Sequence, residues 1–245
     1  MSLAIQVRLI GGLALALGVY AFWLGKLELD GLPGNYKNPV LALELVAKGE
    51  HIDQINRASK KVGNETVTAN EFISSQLRKD SGFIVLYVFF FSLLGLLLNR
   101  LTSPPWKWVA LTGVACAVLA GVLDFVENRG MRKALAFTKG GAPDDLANMI
   151  RYPSLGKWGL LFIFSVLIGV IFLWARQPER FNPLVGGLLL TLGGVIGLIG
   201  VIANLYKPQF YAMFDRAGEF LALGLLLMAI AFLSVPGRII SNFTN

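Results

Sequence analysis

Apolar runs, each about as long as a helix that crosses a hydrocarbon layer, alternate along this chain with polar connections. A spanning helix needs about 20 mainly apolar residues, with roughly 17 to 25 tolerated. Six stretches of that order occur: Leu9 to Gly25, Phe83 to Leu98, Trp108 to Leu123, Trp158 to Ala175, Leu184 to Ala203 and Phe220 to Val235. The second and third are slightly short. Their flanks Asn99, Arg100, Lys107 and Asp124 lengthen them, because polar side chains at helix ends reach for the interface. The ten-residue alternating segments of a membrane β-barrel are not seen. The first run resembles a signal peptide in having Arg8 before an apolar core, but that core ends in Tyr20, Phe22 and Trp23. Bulky aromatics suit an interfacial belt and not a small-residue cleavage site, so the run reads as an anchor.

The pattern predicts an all-α polytopic membrane protein: one membrane domain over residues 1–245, a six-helix transmembrane bundle. Residues 27–82 form a helical cap inserted between the first and second spans. Lys26 to Gly82 is too long for a connector and carries helix signals in place of Pro, Ser or Gly runs. Asn38 precedes Pro39, and Val40, Leu41, Leu45 and Val46 then fall at helical spacing until Gly49, which is expected to end that helix. Thr68 followed by Glu71 is a capping box, and the helix it starts is expected to run unbroken into the second span.

Composition narrows the function classes. With 55% hydrophobic and only 15% charged residues, the chain is neither disordered nor a soluble globule. The net charge of +7 does not point to nucleic acid, because Lys and Arg are scattered over loops beside apolar spans. Topology explains them better: one side of the membrane receives short basic connections around Arg8, Arg100, Lys107, Arg176, Arg180 and Arg238, with Glu179 as its acid. That asymmetry predicts both termini in the cytoplasm, and the membrane is expected to be the bacterial inner (plasma) membrane. The triplets Asn64 to Thr66 and Asn242 to Thr244 arise often by chance and carry little weight. Gly186, Gly187, Gly193, Gly194, Gly197 and Gly200 predict that the fifth span packs tightly at the centre of the bundle.

Candidate chemistry lies where ionisable residues approach membrane depth, since a charge in hydrocarbon costs at least about 2.5 to 3.5 kcal/mol. Asp124, Glu127 and Asn128 are spaced i, i+3 and i+4 and share one face near the end of the third span. If Gly130 ends that helix, the two carboxylates oppose its dipole, and Arg129, Arg132, Lys133, Arg151 or Lys157 must compensate. Asn204, Tyr206 and Lys207 from the fifth span, and Asp215 and Glu219 entering the sixth, arrive at the same side. The candidate ligand-binding set is therefore Asp124, Glu127, Asn128, Arg151, Lys157, Asn204 and Glu219. At least one of Asp124 and Glu127 is expected to contact a basic or amide group from another helix or from the cap.

No catalytic residue, metal site or cofactor is assigned. His51 is the only histidine, read as a solvated loop residue, and Cys116 is the only cysteine, read as a buried thiol; triad chemistry and His- or Cys-based metal sites have no basis. GGLALALG and GGVIGLIG lie inside apolar spans, where glycine serves packing and not phosphate binding. NPVLALELV after the first span and VLDFVEN closing the third resemble uncharacterised bacterial multi-pass membrane proteins that pair an ALEL-type stretch with a DxxEN-type helix end. The resemblance implies a helical bundle with a capped outer face and matches Glu44, Asp124, Glu127 and Asn128 as polar positions; it implies no activity. The expected function is non-enzymatic binding of a membrane lipid, a small amphiphile or a partner membrane protein at the extracytoplasmic face. A small-solute transporter or channel is the first alternative, although the spans offer little polar lining beyond Tyr20, Tyr87, Ser92, Thr112, Ser165 and Thr191. An intramembrane enzyme acting on a lipid headgroup is the second.

Overall fold

The computed structural model of the chain describes residues 2–24, 27–33, 36–62, 65–137, 140–174, 181–206 and 211–234, with 236 and 240. In chain order the elements are α1 (Leu3–Leu24), α2 (Pro39–Glu44), α3 (Gly49–Arg57), β1 (Ser59–Val62), β2 (Glu65–Thr68), α4 (Ala69–Leu101), α5 (Trp106–Ala134), α6 (Asp144–Trp174), α7 (Phe181–Tyr206) and α8 (Tyr211–Ser234). Among the described residues, α1, α4, α5, α6, α7 and α8 are long and apolar enough to cross a membrane. The chain is an integral membrane protein with an all-α, six-span bundle. The basic positions Arg176, Arg180 and Arg238, together with Glu179, lie outside the described residues, as do both asparagines of the Asn-X-Thr triplets.

Each spanning helix packs on the next, and α8 returns to α1, which also packs on α4. The ring is filled. Phe90, Leu94, Phe164, Ile168 and Phe232 are buried in one apolar core, with the rings of Phe91 and Phe164 tilted against each other at 4.5 Å between centroids. The glycines of α7 set two close approaches. A Cβ at Gly194 would meet the Phe162 carbonyl oxygen on α6 at 2.7 Å, and one at Gly193 would meet the Ala217 carbonyl oxygen on α8 at 3.2 Å. The fifth span therefore uses its small residues within the bundle, where they let backbones approach.

The cap spends its apolar stripe on the end of the bundle. Leu43, Ile52 and Ile55 are fully buried in a second core shared with Ile73 of α4, Met131 of α5 and Ile150 of α6. Full burial of such a side chain contributes about 1.5–3 kcal/mol. Polar groups of the cap and of the first turn of α4 finish what the bundle leaves open. Asn56 Nδ2 donates to the carbonyls of Ala134 (2.9 Å) and Phe137 (3.1 Å), and Asn70 Nδ2 donates to Leu135 (2.9 Å). Ala134 ends α5 and Leu135 is its C-cap, where carbonyls lack partners within their own helix, and Phe137 follows in the turn. Asp53 and Asp144 tie the following loop, accepting from the backbone of Gly141 and of Gly49 at 2.7 Å each.

Several local expectations meet the structure differently. Asn38 does cap α2, its Oδ1 accepting from Val40 N at 2.9 Å, but the helix stops at Glu44. Gly49 opens α3 instead, because its backbone lies against the loop at Ala142, where a side chain has no room. His51 is consequently on a helix, partly exposed, beside Glu50. The cap also contains an antiparallel hairpin, β1 paired with β2 from Ser59↔Thr68 to Val62↔Glu65, where a wholly helical cap was expected. Its second strand, ETVT, has three β-branched residues of four, which suit pleated backbone. Cys116 is buried with a free thiol.

The capping box is formed in both directions: Thr68 Oγ1 accepts from Glu71 N at 3.2 Å, and Glu71 Oε2 accepts from Thr68 N at 3.1 Å. From it α4 runs 33 residues without a break, so residues 69–82 begin a spanning helix and the cap proper ends at Thr68. Thr68→Ala is expected to cost about 1 kcal/mol. Amide hydrogen exchange should quicken in the first turn of α4 alone; equal protection in both proteins would show that the hairpin, not the cap residue, starts the helix.

Candidate functional site

Three helices from separate parts of the chain, α2, α5 and α6, meet at Lys157. The residue lies on α6, four positions after Pro153, which cannot donate the backbone bond that would close the preceding turn. The Lys157 side chain is 5% exposed. Its Nζ lies 2.7 Å from Glu127 Oε2, 3.2 Å from Asp124 Oδ1 and 3.4 Å from Glu44 Oε1. Glu127 and Asp124 come from one face of α5, one turn apart, and Glu44 comes from the last turn of α2 in the cap. The Glu127 contact is close but not aligned as a hydrogen bond, and Glu127 Oε1 has no donor. Lys157 therefore supplies the cross-helix basic group that Asp124 and Glu127 required.

A second layer fixes these groups. Tyr87 of α4 donates its hydroxyl to Asp124 Oδ2 at 3.0 Å. Trp158 donates Nε1 to Glu44 Oε2 at 2.9 Å, and its ring lies 5.3 Å from the Lys157 ammonium. Asn128 donates to Asp80 of α4. A buried ion pair is worth keeping only when the remaining lone pairs and protons are satisfied, and here Asp124 and Glu44 meet that condition while Glu127 does not.

The carboxylates are not at a helix end. Gly130 sits inside α5, packed on Ile150, and the helix continues to Ala134. Glu127 is about two turns from that terminus, beyond the last turn in which the dipole acts strongly. Their cost comes from burial, and Lys157 offsets it.

The remaining candidates do not join this group. Arg151, two turns earlier on α6, donates an NH2 hydrogen to the Asn204 carbonyl of α7, and Asn204 Nδ2 donates to Gly200 O at 3.0 Å. Arg151 also lies near Tyr36 of the cap. Burial pushes the Tyr36 phenol up to about 12, and the guanidinium pulls the other way. Glu219 is exposed on α8 and pairs with Arg216 at 3.0 Å. Lys207 and the side chain of Asp215 lie outside the described residues. Arg132 donates to the Leu77 carbonyl at 3.1 Å. Among the span hydroxyls, Thr112, Ser165 and Thr191 bond carbonyls one turn back in their own helices.

Glu44, Asp80, Tyr87 and Trp158 belong to the site and were not in the candidate set. Glu44 was a matched position in the family resemblance. Asp80 and Tyr87 are seven apart and thus on one face of α4, a spacing visible in the sequence once that helix is known to be continuous. Apart from that resemblance, nothing in the sequence marks which cap carboxylate reaches Lys157. Elsewhere in the cap, Asp30, Glu50, Asp53 and Arg57 line a shallow surface cleft that shares no residue with the Lys157 group. Among the described residues no three His, Cys, Asp or Glu side chains are placed to hold a metal ion. No protein-family model, curated protein or solved structure matches this chain.

Proposed function

We propose that this is a non-enzymatic protein of the bacterial inner (plasma) membrane, with both termini cytoplasmic, that binds a membrane lipid or small amphiphile through an anionic head at its extracytoplasmic, cap-bearing face. Arg151 is the observation that carries the reading. Its guanidinium stands where the cap, α6 and α7 meet, with an enclosed Nε that has no acceptor. No carboxylate lies within ion-pair distance of it among the described residues. A planar guanidinium with free donors suits a phosphate or carboxylate head, which it grips through paired hydrogen bonds.

The other half of the ligand also has support. Ile199, Ile202 and Leu205 form an exposed apolar strip on α7 that leads to Asn204 and Arg151, and an acyl chain lying along it would keep its head at the guanidinium. Asp124, Glu127, Asn128 and Lys157 serve in this reading to hold the cap, and Glu219 with Arg216 forms an exposed rim. The short basic loops support the orientation.

The test is retention of phosphatidylglycerol by the delipidated, reconstituted protein, measured by native mass spectrometry beside a neutral diacylglycerol. Losing hydrogen bonds from a charged donor costs about 1.5–3 kcal/mol. Arg151→Gln should therefore weaken phosphatidylglycerol binding at least about tenfold. Equal retention by both proteins, or no preference for the anionic lipid in the wild type, would sink the proposal.

A further inference from the structure

The Lys157 junction holds more acid than base. Glu44 from α2, Asp80 from α4, and Asp124 and Glu127 from α5 face a single ammonium from α6; the remaining close polar groups, Tyr87, Asn128 and Trp158, are neutral. With every carboxyl ionised, this largely buried group would carry three more negative charges than positive. Uncompensated buried charge costs several kcal/mol per ion even after relaxation. The described residues are not arranged to hold a metal ion there, and a proton needs no coordination shell. Two buried atoms also lack partners: Glu127 Oε1, on a residue with no exposure, and Ser154 Oγ, one turn before Lys157 on α6 and equally buried. Native structures rarely leave buried polar atoms unsatisfied, and such atoms mark the place of an extra proton or water.

We propose that the Lys157 junction is a proton-binding centre, that Glu127 carries the proton, and that this proton keeps Glu44 and the cap seated on the bundle. The proposal does not rest on the anion site at Arg151. With Glu127 neutral, Lys157 is shared by Asp124 and Glu44. When Glu127 releases its proton to solvent, a third full negative charge competes for the same ammonium. Asp124 and Glu127 are fixed on α5, in the middle of a 29-residue helix. Glu44 sits on the six-residue α2 and has the most exposed side chain of the three, 12% against 8% and 1%. Glu44 is therefore the group displaced, and it takes the Trp158 hydrogen bond with it. The ligand is a proton, no electrons move, and the mechanical output is a loosened cap.

Infrared difference spectroscopy on the purified protein in nanodiscs reads the proton directly. At neutral pH the wild type should show the C=O stretch of a protonated carboxyl group, which disappears on alkalinisation and is missing in Glu127→Gln. Amide hydrogen exchange in α2 should rise over the same alkaline range in the wild type, while in Glu127→Gln it stays at the neutral-pH level throughout. Absence of the band in the wild type would overturn the proposal, as would a band that persists unchanged in Glu127→Gln. A band removed by Na⁺ or Mg²⁺ at constant pH would replace the proton with a metal cation. If exchange in α2 ignores the titration, the coupling to the cap is wrong.

Discussion

Lys157→Met is expected to destabilise the folded protein by about 3–5 kcal/mol, the usual cost of removing one member of a buried ion pair. The substitution keeps most of the side-chain volume, so lost packing is a small part of the effect. The larger part is what remains: Glu127, Asp124 and Glu44 would face one another without an ammonium, at side-chain exposures of 1%, 8% and 12%. Thermal unfolding in detergent, followed by loss of the monodisperse peak, measures it. The partner substitution should behave in the opposite way. Glu127→Gln keeps the shape and neutrality of the protonated side chain and should shift the midpoint little at neutral pH. Added to Lys157→Met, it should recover part of the loss, because groups in one network do not act additively. If Lys157→Met unfolds at the wild-type temperature, the ammonium is not what holds the three carboxyl groups together.

The six spans could be read from the sequence because lipid demands long apolar helices with no unsatisfied backbone, a requirement that composition alone expresses. One helix start could be read too: residues 69–82 fall within the expected cap, but the Thr68 capping box predicts a helix that runs unbroken into the second span, and α4 does so. Other helix ends could not be read. Gly130 read as a stop, but α5 passes through it because the absent side chain makes room for Ile150 of α6. Gly49 also read as a stop and is a start. In each case the glycine answers to a neighbour from elsewhere in the chain, which local pattern does not contain.

Much the same division holds for the site. That Asp124 and Glu127 needed a basic partner followed from electrostatics, and Lys157 was among the named candidates. Which candidate it would be depended on the way α6 packs against α5, and no spacing rule reaches across that distance. The cap's contribution was harder still. Glu44 stands in an apolar stretch, VLALELV, whose helical spacing predicts a buried stripe, and the one acid within it looks like an exception until Lys157 and Trp158 are seen above it. Arg151 and Asn204 were placed with Asp124 because all lie toward one membrane face. Arg151 instead lies two turns before Lys157 on α6 and bonds α7, and Glu219 pairs with Arg216 on α8.

Gly49→Ala should detach the cap locally while leaving the bundle folded. A Cβ at this position would stand 1.8 Å from the Ala142 carbonyl oxygen and 2.9 Å from the Pro143 carbonyl carbon. Both are backbone atoms of the loop that leads into α6, so no flexible side chain can yield. Overfilling of a packed site commonly costs about 1–3 kcal/mol, and the upper end is expected where backbone must move. Displacing the start of α3 also removes the bond from Gly49 N to Asp144 Oδ1 and draws Asn56 away from the α5 carbonyls it satisfies. The membrane core is a separate cluster and shares none of these residues. Limited proteolysis should therefore cut within residues 45–58 of Gly49→Ala in nanodiscs while the six spans stay protected. Gly12→Ala, whose Cβ would meet nothing within 4 Å, serves as the control and should be cut as slowly as the wild type. Equal resistance of Gly49→Ala and Gly12→Ala would mean that the cap rests on its apolar stripe alone, with the loop free to retreat from it.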